Sequence, residues 1–414
     1  MLRWVAAGLI GLSGLPACAA DYLAGPADYR RYLPRLEAGD RLRLEPGTYL
    51  EGLPLRDLAG LPGQPIVIEA ADASAPPRLL ARRGANTVSL VDVRHVTLRG
   101  LELDGGGLPV DAVKAEGHSR HADFVTLENL YIHDHAASQQ SVGISTKCPA
   151  LGWTIRGNRI TRVGTGLYLG NSDGSAPFVG GLIEANRIDR TLGYNLQIKH
   201  QNDRPADWAD ARHDTVIRYN VFSKQDAQPN PLARPNVLLG HFPLAGPGAL
   251  DRYRVYGNRF LSNPSEALLQ SEARMAVYDN LFVNEAGDAI RVQPHNDVPR
   301  DMTIFSNTVV ASGVGIRVRQ APDAPWRQRL VANLVSAAQP IVGGEAAYNL
   351  ALPYRPAWAD GPDWVLTGRM LAAAPAPAPL PDALQRDLAA DHPDWPARAQ
   401  PGARPPAPQA QRRP

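Results

Sequence analysis

Residues 194–204 read YNLQIKHQNDR. Leu196 and Ile198 alternate with Gln197 and Lys199, the period of a half-buried strand with a lysine on its open face. Lysines and arginines together number 43, yet only Lys114, Lys147, Lys199 and Lys224 are lysines. Where arginine is the default surface cation, a lysine followed by His200 asks for a reason. Chemistry supplies one. Lysine sheds its proton at accessible pH once burial or neighbouring cations lower its pKa, and arginine does not. Lys199 is therefore a candidate general base, with His200, His241 or Tyr168 as candidate proton donors. The plainer alternative is a solvated strand lysine.

Such a strand must be held by something, and the chain shows internal repetition. Runs of the form apolar-x-x-Asn-x-apolar recur around Asn129, Asn158, Asn186, Asn220, Asn258, Asn280, Asn307 and Asn333, with Gly100 in the Asn place of an earlier run. Each is followed by a second short alternating run, among them VGISTK, GLYLGN, NLQIKH, NVLLGH, ALLQSE, DAIRVQ and GIRVRQ. Short strands with no helical period between them predict an all-β solenoid of about ten to twelve coils. Neighbouring coils should pair in parallel about 4.8 Å apart. The recurrent Asn is expected to sit at a sharp turn and bond the Asn of the next coil, forming a ladder.

AGDRLRLEPGTYLEG, GLPGQPIVIEA and VTLRGLELDGG resemble the start of secreted right-handed parallel β-helix proteins, most closely the chondroitinase B and alginate lyase family of polysaccharide lyases. The resemblance covers roughly residues 38–350. It implies a lysine base on one coil, an arginine one coil on, and an Asn/Glu set binding calcium. QIKHQ matches the lysine strand, giving Lys199 the base role. NVLLGHF matches the next strand, but Gly240 stands where the arginine is expected and only His241 remains. The acidic calcium ligands have no counterpart before Lys199, so no cofactor is assigned.

Stacking the second strands by their inward residues gives outward rows. One holds Gly143, Tyr168, Gln197, Leu238, Leu268, Arg291 and Arg317. The next holds Ser145, Gly170, Lys199, Gly240, Gln270, Gln293 and Arg319, with Lys147, Glu272 and His295 in a third. A groove of cations, amides and a tyrosine suits an acidic polysaccharide. β-Elimination of a uronate needs a cation on the C6 carboxylate, a base for the C5 proton and an acid for the leaving oxygen. Lys199, His200 and His241 are the catalytic candidates. Tyr168, Gln197, Gln270, Arg291, Gln293, Arg317 and Arg319 are the substrate-binding ones. A C5 epimerase with His295 as base, and a non-catalytic glycan-binding scaffold, remain open beside the lyase. Two other clusters read as turns, with no metal assigned: YIHDHAAS, with His133 and His135 at i and i+2, and NSDG around Asp173.

Apolar residues make up 44% of the 414, charged ones 20%, and the formal net charge is +2. Nothing in that balance calls for a nucleic-acid partner, and the expected state is a monomer. Residues 1–20 read as a secretory signal peptide, too short to span a membrane. LPAC at 15–18 also has the outline of a lipobox, which would place a lipid anchor on Cys18. A periplasmic or secreted protein follows from either. Cys148 is then a lone cysteine without a disulfide partner. The β-helix is expected over residues 21–350, a C-terminal cap or wrap over 351–395, and a disordered Pro/Ala/Arg-rich tail over 396–414.

Overall fold

The computed structural model describes residues 19–404 apart from 206–207, 209–211, 226–232, 320–325, 359–363 and 375. The expected signal segment as far as Cys18 and the expected tail beyond Arg404 lie outside the described residues, as do parts of the insertions at 201–213 and 223–235. No described helix is long and apolar enough to cross a membrane.

Short strands stack coil upon coil on three faces, and their pairings are parallel. The first face is a 13-stranded sheet running from Asp21–Ala24 through strands such as Thr154–Arg156 and Thr215–Arg218 to Glu345–Ala347. The second includes Arg159–Thr161, Arg187–Asp189 and Val221–Ser223. The third, which carries the candidate residues, includes Val113–Ala115, Val142–Thr146, Thr165–Leu169, Leu196–Ile198, Val237–Leu239, Leu269–Ser271 and Ile290–Val292. The alternating inward residues of all three faces fill one continuous bore. Leu98, Leu127, Ile155, Ile183 and Ile217 line it from the first face, and Ile144, Leu167 and Leu196 from the third.

The ladder sits at the corner between the first two faces. The side-chain amide of Asn158 donates to Asn186, Asn186 to Asn220, Asn220 to Asn258 and Asn258 to Asn280, each at 2.9–3.0 Å. The chain of bonds continues through Asn307 and Asn333 to Asn349. Each buried amide is thereby satisfied, which removes a penalty of about 1–3 kcal/mol per group.

Two members of the expected series are corrected. Gly100 and Asn129 are not rungs. They occupy the preceding corner position, where the backbone is left-handed (φ 67° and 54°), as do Gly157, Ala185 and Tyr219 in later coils. Leu130 takes the place of the rung after Asn129 and donates its N–H to the side-chain Oδ1 of Asn158. Gly and Asn are the residues that tolerate positive φ most readily, so a similar letter pattern arises from a different cause.

At the N-terminus, 3₁₀ turns Tyr29–Arg31 and Leu33–Arg35 bury Tyr29 and Leu33 against the first coils. At the other end the chain turns back along the solenoid. Helix Leu366–Ala372 packs Leu366 and Met370 on Val283, Val310 and Leu334. Helix Asp382–Asp391 and Trp395 cover Tyr256, Tyr278 and Phe305 on the outside of the first face. The wrap runs past the expected start of the tail. Arg398 pairs with Asp279, Gly402 donates to the Ala332 carbonyl and Ala403 to Thr308 Oγ1. Residues 398–403 are held by these polar contacts to Asp279, Ala332 and Thr308.

Candidate active site

The strand register fixes which side chains share the third face. Lys114, Ser145, Tyr168, Gln197, Leu238, Gln270, Arg291 and Arg317 are direct neighbours along it. Two residues further on, the ladder continues through the backbone N–H groups of Lys147, Lys199, Gly240, Glu272, Gln293 and Arg319. Ser145 and Gln270 therefore belong to the first row and Lys147 and Glu272 to the second, each one place from where inward-residue matching put them. Gly143 and Leu268 leave the outward rows altogether and are buried. A shift of two keeps the same face, so hydrophobic alternation alone does not detect it.

Lys199 is half-buried and makes no hydrogen bond or ion pair among the described residues. Burial pushes its ammonium below the ordinary value, against the pull of Glu272. A small pocket surrounds it, walled by Gln197, His200, Gln270, Glu272, Gln293 and His295. Five of the expected residues thus meet here: Lys199, His200, Gln197, Gln270 and Gln293.

His200 accepts a 2.7 Å hydrogen bond at Nδ1 from the Asn296 side-chain amide, which leaves the proton on Nε2. Burial, Lys199 and His241 all lower its pKa. A Cβ on Gly174 would lie 2.8 Å from that Nε2, and the Asp173 backbone carbonyl beside it offers the ring a hydrogen-bond acceptor. Asn296 is placed by a device absent from the sequence reading. Glu272 is buried, and its Oε2 accepts the backbone N–H groups of His295, Asn296 and Asp297 at 2.8, 2.6 and 3.0 Å. One carboxylate thus ties the 294–297 loop to the pocket wall.

Other expected residues are placed differently. His241 is buried and donates from Nδ1 to the Phe242 carbonyl. Its ring lies 5.3 Å from that of His200, so it backs His200 and does not line the pocket. Arg291 is neutralised twice, by Glu266 at 2.9 Å and Asp288 at 3.0 Å, and is not a free cation. Gln270 also donates to Glu266. Arg317 and Arg319 have no ion pair among the described residues, but they lie four coils from the Lys199 coil, about 19 Å at the usual strand spacing. One sugar unit does not reach Lys199 and either arginine together.

Calcium does not fit beside Lys199. Glu272 is the one carboxylate lining that pocket, and three N–H groups already occupy one of its oxygens. The group of Glu102, Asp104 and His133 is on the second face, where Arg78 pairs with both carboxylates. His135 is fully buried and bonded at Nδ1 to the Val110 carbonyl oxygen, so it does not chelate with His133. Asp173 accepts the N–H and hydroxyl of Ser175, as a turn residue should.

The feature missed in the sequence lies on the N-terminal side. A cleft of about 320 Å³ is bounded by Asp111, Lys114, Lys147, Tyr168, Tyr194 and Gln197. Lys147 Nζ sits 3.3 Å from the centroid of the Tyr168 ring. Burial pushes Lys147 down to about 8, with Asp111 opposing and Lys114 and Lys199 adding to the fall. Three of the four lysines therefore share this groove. Their rarity was the available signal, applied to Lys199 alone.

The parallel coils, three faces and inward-filled bore decide the architecture. The chain is a right-handed parallel β-helix. This β-helix is similar to the catalytic unit of a GH87 α-1,3-glucanase from Streptomyces thermodiastaticus (TM-score 0.50, 16% identity, 82% of this chain and 67% of that one). It also matches a point variant of the PL6 family alginate lyase AlyGC (TM-score 0.49, 14% identity, 81% and 52%) and pectate lyase Pel9A (TM-score 0.42, 13%, 80% and 79%). The chain spans about half the length of the AlyGC chains it matches. These likenesses are of fold. No family model and no curated protein sequence matches the chain.

Proposed function

We propose that this β-helix is an exported polysaccharide lyase that cleaves a uronate-containing glycan by β-elimination, with Lys199 as base. The observation that carries the reading is an unpaired, partly desolvated lysine in a polar pocket, beside a histidine held in one tautomer. The alginate and pectate lyases among the structural matches are compatible with it.

In this mechanism Lys199 Nζ takes the C5 proton. The released electron pair forms the C4–C5 double bond, and the C4–O bond breaks. His200 Nε2–H turns from the Asp173 carbonyl to hydrogen-bond the leaving oxygen as its charge grows. The proton reaches that oxygen from the Lys199 ammonium, so protons and electrons balance within one pocket. Gln197, Gln270 and Gln293 offer amide donors to sugar hydroxyls.

A C5 epimerase is the second reading, favoured by the loop that Glu272 fastens over the pocket with His295 in it. It shares the proton abstraction and differs in returning a proton to the opposite face. Incubation with alginate, pectate, heparin and chondroitin, followed by ultraviolet absorbance of the new double bond, separates the two. A lyase gives rising absorbance on one polymer. Solvent deuterium entering C5 without absorbance identifies the epimerase. Neither signal on any polymer refutes both.

A further inference from the structure

The cleft on the N-terminal side of Lys199 has the makings of a site of its own. Lys147 makes no ion pair among the described residues although it is half-buried. Lys114 is only loosely flanked, 3.9 Å from both Asp111 and Glu116. Asp111 is already committed, one oxygen accepting the Val142 N–H and the other the Ser145 hydroxyl. Asp111 and Glu116 thus balance Lys114, while Lys147 faces the polar cleft with no ion pair of its own among the described residues. Such an arrangement favours an anionic ligand at Lys147, because its ammonium has only the Tyr168 ring as a close neighbour and a carboxylate there gains a charge-assisted hydrogen bond.

The walls point to a sugar. Tyr168, with Lys147 over one face of its ring, and Tyr194 line it with aromatic surface, and Gln197 offers an amide. The volume of about 320 Å³ is at the lower end of the range for small-molecule sites. The cleft also joins the Lys199 pocket, because Gln197 lines both. Lys147 and Lys199 stand in one row with Gly170 between them, two coil steps or about 10 Å apart. A Cβ on Gly170 would lie 3.2 Å from the Lys199 Cβ, so the absence of a side chain leaves the groove floor low between the lysines.

We infer that this cleft is a second anion subsite, in which Lys114 and Lys147 hold the carboxylate of a neighbouring uronate unit while Tyr168 and Tyr194 contact its ring. The inference rests on an acidic glycan being the ligand, and not on the proton chemistry at Lys199. It makes Lys147 the residue that sets the register of the polymer over Lys199.

Calorimetry on the full chain carrying Lys199→Ala tests it, with saturated alginate and pectate trisaccharides as probes and a sulfated glucan trisaccharide as contrast. One uronate trisaccharide should bind, and adding Lys147→Met or Lys114→Met should weaken it ~10-fold or more, the scale of one lost charge-assisted bond. Thermal unfolding of each variant verifies that it folds. An unchanged dissociation constant in both folded variants overturns the subsite. Binding of the sulfated glucan alone overturns the assignment to a carboxylate, and no binding of any probe overturns the site. Turnover of polymer with Lys147-independent binding sinks this inference alone. Lys147-dependent binding with no double bond formed on any polymer sinks the elimination alone.

Discussion

Lys147 and Lys199 occupy the same row of one parallel sheet, two coils apart, and the Lys199 charge adds to the burial that depresses Lys147. Neither has an ion pair among the described residues. A protein with 43 basic residues and nearly all of them arginine has placed three of its four lysines in this one groove. Lys224, the fourth, is buried elsewhere with its ammonium donating to the Arg234 carbonyl oxygen.

Replacing Lys199 by Ala should cut turnover by about 10²-fold or more, the usual contribution of a positioned general base. The stability change should be small, because no hydrogen bond is lost. Single-turnover absorbance and a denaturation curve measure the two separately. Wild-type rates in the variant would remove Lys199 from the mechanism.

The pH profile should carry two opposing limbs. Lys199 is pushed down, so its neutral, basic form is populated at lower pH than in a free lysine, and kcat should rise with pH and level off below 10.5. Lys147 loses its charge as pH passes about 8, so substrate affinity should fall there and kcat/KM should decline. In Lys147→Arg the charge persists, and the alkaline decline should move up or vanish. A decline identical in both proteins would mean another group causes it.

Lys147 also bears on stability. Its folded pKa lies below the unfolded one, so the unfolded chain binds more protons between about pH 8 and 10.5, and stability should rise with pH across that window. Lys147→Met removes the desolvated charge and should raise the melting temperature by roughly 1–2 °C at pH 7. The same substitution weakens binding, a trade between function and stability that calorimetry reads in one protein.

Glu272→Ala should free the 294–297 loop. Three backbone donors lose a charged acceptor, a destabilisation of about 3 kcal/mol. Asn296 then ceases to fix His200, so kcat should fall with little change in binding of a trisaccharide. Proton exchange or tautomer-sensitive nitrogen shifts of His200 report the change directly. An unaltered His200 signal would show that the loop does not position it.

The two kinds of corner asparagine give a contrasting pair. Asn258 bonds Asn220 and Asn280 along the ladder, and Asn258→Leu strands amide groups on both neighbours, a loss on the order of 3 kcal/mol. Asn129 is exposed at φ 54° outside the ladder, and Asn129→Gly should stay within about 0.5 kcal/mol because glycine accepts that backbone. Urea midpoints for the two variants test the distinction. Equal losses would contradict the corner assignment.

The coil was legible because repetition at one corner position and short alternating runs are local signals. They located the third-face strands and the inward residues such as Leu196 and Ile198. They also brought Lys199, His200 and the three glutamines to one pocket. What failed was anything depending on a longer reach. His241 looked like a partner of Lys199, yet the chain turns after Gly240 and buries the ring. Arg291 looked free until Glu266 and Asp288, contributed by turns, closed on it.

The sequence by itself determined a stacked solenoid with a lysine on one open face, because a side-chain period of two and a recurrent Asn are written in neighbouring residues. Only the tertiary structure decided which charges meet. Register between coils depends on turns of varying length, and a slip of two residues preserves every buried contact pattern while moving each outward side chain to a new neighbour. The pairing of Lys147 with Lys199, and of Glu272 with the loop that holds Asn296, comes from that register.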